Sequence, residues 1–167
     1  MKELLKALGI KQIVGLDFET YYDNDYTLRK MSTTEYVRDP RFKVQSVSLQ
    51  THRQKGGKGY GTADSISRAI HDVDWDSTGL LCHHTHFDGL ILSHHFGIVP
   101  GFYLCTLSMA RPIHGGAIKN DLDTVAQHYG VGNKLEDILG KTKGVRDIPP
   151  DLLKRLIEYN NVDVDIM

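Results

Sequence analysis

Two carboxylates lie two positions apart at the end of the first apolar segment of this sequence. Asp17 and Glu19 follow the run Ile13-Val14-Gly15-Leu16. Residues i and i+2 of a β-strand point to the same face, so both side chains are expected to face one point. Like charges so close repel and raise one pKa, and a divalent cation between them removes that cost. Oxygen-only ligands favour Mg²⁺ or Mn²⁺. The alternative is a pair of surface carboxylates at a strand end.

Three further residues extend this chemistry. Tyr159 and Asp163 are four residues apart on the last predicted helix and therefore lie on one face of it. A helix dipole favours cations near the C-terminal end, so helix physics does not explain Asp163 there. Asp88 opens a predicted helix directly after a predicted strand. Its position is typical of a helix N-cap, and it equally suits a third metal ligand at the strand–helix junction.

The elements that must position these residues alternate between strands and helices. Strands are predicted at 10–18, 42–51, 59–61, 80–84 and 102–105, and helices at 62–72, 88–96, 107–114, 122–129 and 149–167. This order is typical of an α/β or α+β protein built in three layers. A hairpin-like loop is predicted over 55–59. The segment 131–150 is basic and loop-rich, and it is either a solvated surface or a patch that tracks phosphates.

Length and composition limit the class of protein. The 167 residues, 40% hydrophobic and 25% charged, predict one soluble globular domain with its own core. No run reaches the ~18 apolar residues of a membrane span. Lysine and arginine number 20 against 21 aspartate and glutamate, which excludes a protein that only coats phosphates but not an enzyme with a local basic patch. The two cysteines, Cys82 and Cys105, and a charged N-terminal start predict a reducing intracellular compartment.

Three segments resemble the motifs of the tyrosine subgroup of the DEDD superfamily of 3′–5′ exonucleases. They are Asp17-Phe18-Glu19-Thr20, His84-Thr85-His86-Phe87-Asp88 and Tyr159-Asn160-Asn161-Val162-Asp163. Flanking segments more closely resemble the proofreading domains of phage-type family A DNA polymerases: Asp25–Met31, Phe87–Leu92 and Thr106–Arg111. The resemblance spans residues 10–167 and implies a ribonuclease H-like α/β fold, a three-layer arrangement of a five-stranded mixed sheet flanked by helices.

The resemblance also implies the parts of an active site. Two Mg²⁺ or Mn²⁺ ions would be held by four carboxylates, and the Tyr159 hydroxyl would orient the attacking water. The four ligands are Asp17, Glu19, Asp88 and Asp163. The single-stranded or frayed 3′ end of DNA would contact Thr20, His84, Phe87 and Leu107. The implied role is proofreading in DNA replication, in the cytoplasm of a bacterial or phage-infected host and without a membrane.

The sequence departs from the family pattern at three places. His84 stands where the family usually has Asn, which puts substrate positioning or rate in doubt, and Cys105 stands where an Asp is common. The last helix is shorter than the family's, so Asp163 is expected in a fraying turn. Residues 1–167 are therefore interpreted as one exonuclease domain, either free-standing or part of a chain with a polymerase domain or subunit as its partner.

Three alternatives remain at this stage. An RNA-processing exoribonuclease of the same fold would use the same chemistry and differ only in contacts to the 2′-hydroxyl. A non-catalytic module that binds nucleic acid or a protein partner would keep the fold and lose the reaction. A zinc site at the histidines around Cys82 is weak, because the sequence has no Cys-x-x-Cys or His-Glu-x-x-His spacing.

Overall fold

A five-stranded mixed sheet forms the centre of the molecule in the computed structural model, which describes residues 2–54, 56–135 and 138–167. Its strands are β1 (Gln12–Thr20), β2 (Val44–Thr51), β3 (Lys58–Tyr60), β4 (Thr78–Cys82) and β5 (Phe102–Cys105). The strand order is β3-β2-β1-β4-β5. The β1–β2 and β2–β3 pairs are antiparallel, and the β1–β4 and β4–β5 pairs are parallel. This sheet and its flanking helices confirm the fold class that the sequence predicted.

Helices cover both faces of the sheet. They are α1 (Lys2–Ala7), α2 (Thr33–Arg38), α3 (Ala63–His71), α4 (Thr85–Phe96), α5 (Thr106–His114), α6 (Leu122–Tyr129), α7 (Leu139–Thr142) and α8 (Pro150–Asp165). Alternation along β1 separates the two faces. Val14, Leu16 and Phe18 enter the main core, which α3 and α4 complete. Asp17 lies on the opposite face, where α8 crosses β1, β2 and β3.

Small residues let α8 approach the sheet closely. A Cβ atom at Gly59 on β3 would lie 2.4 Å from Cγ2 of Ile157, so any other residue there would force that α8 side chain to shift. The β2 hydroxyls of Ser46 and Ser48 point to the same side and donate to Asn160 and Asn161 of α8. The side of α8 that faces the sheet therefore combines these polar contacts with apolar ones from Ile157 and Val164.

The bounds of several elements differ from the prediction. β1 continues through Thr20, so Glu19 lies within the strand. β4 ends at Cys82 rather than at residue 84, and α4 begins at Thr85 rather than at Asp88. Helices α1, α2 and α7 were not predicted. The sequence carried a signal for α2, because Ser32 and Glu35 form a capping box across the first turn.

The end of α8 packs against α6. Asp163 is only 3% exposed, and Ile166 packs on Leu122 and Ala126 of α6. These contacts oppose the predicted fraying at Asp163, which stays a prediction. Of the predicted loops, Lys55 and residues 136–137 lie outside the described residues. None of the helices in the described ranges has the length and apolar character that crossing a membrane requires.

Candidate active site

Three carboxylates from two distant segments meet on the α8 side of the sheet. Asp17 and Glu19 come from the end of β1, and Asp163 comes from the last turn of α8. One oxygen atom of each lies within 4.8 Å of the others. The pairing of β1 with β2 shifts register between Glu19 and Thr20, an irregularity that bends a strand and re-aims its side chains. With this irregularity present, the predicted two-residue spacing still places both β1 carboxylates on one face.

A buried amide holds the first of these carboxylates in place. Asn160 Nδ2 donates a 2.6 Å hydrogen bond to Oδ2 of Asp17 and a 3.2 Å bond to its main-chain oxygen. The hydroxyl of Ser46 donates to Oδ1 of Asn160 at 3.3 Å. Asn160 is fully buried. Asn160 was not predicted as a site residue. Its only signal in the sequence was its place beside Tyr159 in the third motif.

Electrostatics favour a cation among the three carboxylates. Burial, followed by the charge of Asp163, raises the pKa of Asp17 to about 7. Burial and the charges of Asp17 and Asp163 raise the pKa of Glu19 well above its ordinary value. Burial also raises the pKa of Asp163, and the neighbouring Lys134 opposes this. The three groups therefore resist carrying full negative charge together unless a further positive charge is added.

A lysine that the sequence analysis placed only in a basic loop reaches this cluster. Lys134 Nζ donates a short hydrogen bond to Oδ2 of Asp163 and another, 3.2 Å long, to the hydroxyl oxygen of Tyr159. Oδ1 of Asp163 is buried and has no hydrogen-bond partner among the described residues. Tyr159 is also buried, and burial followed by the charge of Asp163 raises its pKa to about 12. The predicted pairing of Tyr159 and Asp163 on one helix face is present.

Asp88 lies outside this group of three carboxylates. It is buried in α4, four residues into the helix, so it does not act as the N-cap. Its Oδ1 accepts a 3.1 Å hydrogen bond from the main-chain N–H of Phe18. Burial, and then the charge of Asp17, raises the pKa of Asp88 well above its ordinary value. Asp88 is thus within electrostatic reach of Asp17 but outside the group of three, and its role as a fourth ligand stays a prediction.

The four residues predicted to contact the 3′ end lie at the end of β1, at the start of α4 and in α5. The Thr20 hydroxyl is hydrogen-bonded to that of Tyr36 at 2.9 Å. His84 is exposed at the N-cap of α4, and its side chain makes no capping bond. Phe87 is half-buried against the main core, and Leu107 is half-buried in the first turn of α5. Their contacts with a nucleic acid stay predictions.

The zinc alternative finds no support among the described residues. There, the cluster of Asp17, Glu19 and Asp163 is the one group of three or more His, Cys, Asp or Glu side chains that could hold a metal ion. His83 is instead hydrogen-bonded to the hydroxyl of Thr106 and the main-chain oxygen of Asn120, each at 2.9 Å.

Comparison with solved structures identifies the class of fold. No family model and no curated protein matches the sequence. The chain is similar to Trypanosoma brucei RNase D in complex with RNA U12, with a TM-score of 0.67, 16% identity, and coverage of 99% of this chain and 56% of that one. Escherichia coli RNase D, an exoribonuclease involved in structured RNA processing, gives a TM-score of 0.58 at 17% identity over 98% of this chain and 39% of that one. The EXO domain of Aedes aegypti Nibbler gives 0.60 at 10% identity over 99% of this chain and 80% of that one.

These similarities establish a ribonuclease H-like fold. The chain spans less than two thirds of the length of either RNase D chain. The resemblance of the sequence to phage-type polymerase proofreading domains receives no support from these structures and stays a prediction.

Proposed function

We propose that this chain is a metal-dependent 3′–5′ exonuclease that removes nucleotides from a single-stranded end. The observation that carries the proposal is the meeting of Asp17, Glu19 and Asp163 within 4.8 Å of one another. They meet beside the hydroxyl of Tyr159, on a fold similar to that of solved nucleases. The similarity of the Asp-x-Glu, His84–Asp88 and Tyr-x-x-x-Asp segments to exonuclease motifs gives independent support.

The residues of the site suit a hard divalent cation. All candidate ligands are carboxylate oxygens, their pKa values are raised, and Oδ1 of Asp163 is buried without a partner in the described chain. Asp17, Glu19 and Asp163 would hold the cation, and Asp88 would serve a second one. A bound Mg²⁺ or Mn²⁺ supplies activation of water and stabilisation of charge on the phosphate.

The protein's own groups prepare the reaction around that centre. Asn160 fixes one oxygen of Asp17, so the carboxylate does not rotate away from the cluster. Tyr159, with its pKa raised to about 12, keeps its proton at neutral pH. Its hydroxyl hydrogen would orient the attacking water whether or not the hydroxyl oxygen accepts from Lys134. Tyr159 is therefore a positioning group rather than a general base.

A single-stranded end suits this site because a paired end must first be unpaired, at a cost of a few kcal/mol. Thr20, His84, Phe87 and Leu107 are the proposed contacts of the terminal nucleotide. A mispaired end is opened at lower cost than a paired one, so the same preference suits proofreading beside a DNA polymerase domain or subunit. DNA as the substrate rests on the resemblance of the segments flanking the motifs to polymerase proofreading domains.

Processing of RNA is the second candidate function. It is supported by the similarity of the fold to RNase D chains, one of which is in complex with RNA. A nuclease specific for RNA needs a contact to the 2′-hydroxyl of the terminal nucleotide. The two candidates share the carboxylate cluster and differ only in the substrate.

The experiment uses matched 5′-labelled DNA and RNA oligonucleotides of one sequence, each single-stranded and each annealed with a mismatched 3′ end. The chain is incubated with each in Mg²⁺, in Mn²⁺ and in EDTA. We expect metal-dependent products that shorten one nucleotide at a time from the 3′ end, on DNA faster than on RNA. Faster shortening of RNA would replace the DNA assignment, and binding of either without cleavage would replace the enzyme by a binding module.

A further inference from the structure

The cation that the carboxylate cluster contacts in this structure belongs to the protein itself. Lys134 Nζ touches Oδ2 of Asp163, lies 3.2 Å from the hydroxyl oxygen of Tyr159 and stands 5.2 Å from the centre of its ring. The Lys134 side chain is 29% exposed, whereas that of Asp163 is 4% exposed. The ammonium group therefore reaches from a partly open position into a buried one. Its charge opposes the rise in the pKa of both Asp17 and Glu19.

The main chain of Lys134 is hydrogen-bonded to α6, and its side chain is partly exposed. Its N–H donates a 2.8 Å hydrogen bond to Oδ1 of Asp123 on α6. Two residues earlier, Gly132 has a φ of +151°, and a Cβ atom there would lie 2.7 Å from Cγ2 of Ile166. The loop is thereby anchored to α6 and to the end of α8. A four-carbon stem on a fixed base can withdraw its ammonium group without moving the loop.

A metal ion and this ammonium group compete for the same carboxylate. Asp163 has one oxygen bound by Lys134 and a second that is buried without a partner among the described residues. Two positive charges bound to one carboxylate repel each other. A divalent ion would also attract Asp17 and Glu19, whose negative charges otherwise attract Lys134. A lysine freed from Asp163 stays attached beside the proposed metal site, and lysine binds phosphate as a point charge.

We propose that Lys134 is a displaceable internal counter-ion of the metal site. Without metal its ammonium group neutralises Asp163, and when the metal binds it leaves Asp163 and contacts a phosphate of the substrate. This inference rests on the proposed function, because it needs both a metal and a phosphodiester. If Lys134 and Asp163 formed only a structural ion pair, removing Lys134 would leave the Asp163 carboxylate buried without a partner. The site would then loosen and bind metal no more tightly.

The two possibilities predict opposite changes in metal affinity. The test is a titration of the nucleic-acid-free protein with Mn²⁺, followed by calorimetry or by the loss of the free-Mn²⁺ electron spin resonance signal. We expect Lys134→Met to bind Mn²⁺ about 10-fold more tightly than the wild type, because no ammonium group must be displaced. Lys134→Arg, which keeps the charge, should bind close to the wild type. Lys141→Met, at an exposed lysine on α7, is the matched control.

A second readout addresses the phosphate contact and the risk of poor folding. At saturating Mn²⁺, Lys134→Met should show a higher KM for an oligonucleotide while the metal stays bound. Lys134→Gln keeps a hydrogen-bond donor without the charge and replaces the methionine variant if that one unfolds. Equal or weaker Mn²⁺ binding by the folded uncharged variant would overturn this inference and leave the proposed function intact. A wild-type protein that binds no Mn²⁺ would overturn the proposed function itself.

Discussion

Asn160 Nδ2 donates to Oδ2 of Asp17 across 2.6 Å, joining the last helix to the end of the central strand. The two residues are 143 positions apart in sequence. Asn160 is fully buried and its other amide atom accepts from Ser46 of β2. One side chain thus links β1, β2 and α8 at the point where the candidate ligands meet. The orientation of Asp17 therefore depends on the packing of α8 on the sheet.

Replacing Asn160 by alanine should weaken both the fold and the site. Losing a buried donor leaves the Asp17 carboxylate unsatisfied and should cost about 1–3 kcal/mol of unfolding free energy. The Asn160 hydrogen bond lowers the pKa of Asp17, so its loss should shift the onset of Mn²⁺ binding to higher pH, since the metal must displace a proton held more tightly. Thermal unfolding and Mn²⁺ titrations at several pH values measure the two effects. Asn161→Ala, which loses a bond to Ser48 on the same helix, should destabilise the protein without the pH shift.

Tyr159→Phe isolates the role of the hydroxyl group. The ring keeps its packing with Ile138 and Leu156, so the fold should persist. Loss of the group that orients water should slow hydrolysis by about 10- to 10²-fold at saturating metal, a modest effect for a positioning group. Mn²⁺ affinity, measured by titration, should stay within about twofold of the wild type, since the phenol oxygen is not among the ligands. A large loss of Mn²⁺ affinity would show that this role is misassigned.

The stability of the metal-free protein should fall as the pH rises. The pKa of Asp17 is about 7 in the folded chain, against about 4 when unfolded, and those of Glu19 and Asp163 are also raised. A carboxylate with a raised folded pKa stabilises the fold fully below its unfolded pKa, and that contribution is lost as the pH rises through the folded value. In EDTA, the melting temperature should therefore decline between about pH 4 and pH 7.

The variant Asp17→Asn with Glu19→Gln serves as the reference for that series, since it keeps shape and removes charge. Groups elsewhere titrate in both proteins, so their effect drops out of the difference in melting temperature between variant and wild type. We expect the variant to gain on the wild type as the pH rises, and Mn²⁺ to stabilise only the wild type. A difference that is constant from pH 4.5 to pH 8 would contradict the raised pKa values.

The local pattern of the sequence predicted the parts of the site that lie on one element. The two-residue spacing of Asp17 and Glu19 and the four-residue spacing of Tyr159 and Asp163 each follow from the geometry of a single strand or helix. The predicted strand ended at residue 18, because polar residues follow it, whereas Glu19 and Thr20 still pair with β2.

The local sequence pattern did not predict the contacts between distant elements. Lys134 comes from a loop with no helical or strand period, and its approach to Asp163 depends on the anchoring of that loop to Asp123. Asn160 reaches Asp17 only because Gly59 and the β2 serines admit α8 close to the sheet. The start of α4 at Thr85 was missed for a similar reason, because His84 supplies no side-chain cap and Thr85 bonds instead to the main chain of β4 and β5.

The central claim is that the carboxylates of β1 carry a metal-dependent 3′–5′ hydrolysis. The most direct measurement is the time course of shortening of a 5′-labelled single-stranded DNA in Mn²⁺, by the wild type and by Asp17→Ala with Glu19→Ala. The double variant should stay folded, because it removes like charges that oppose each other, and a melting curve checks this. We predict a ladder that recedes from the 3′ end with the wild type and no ladder with the variant or in EDTA. Shortening that survives in the folded double variant would contradict the account.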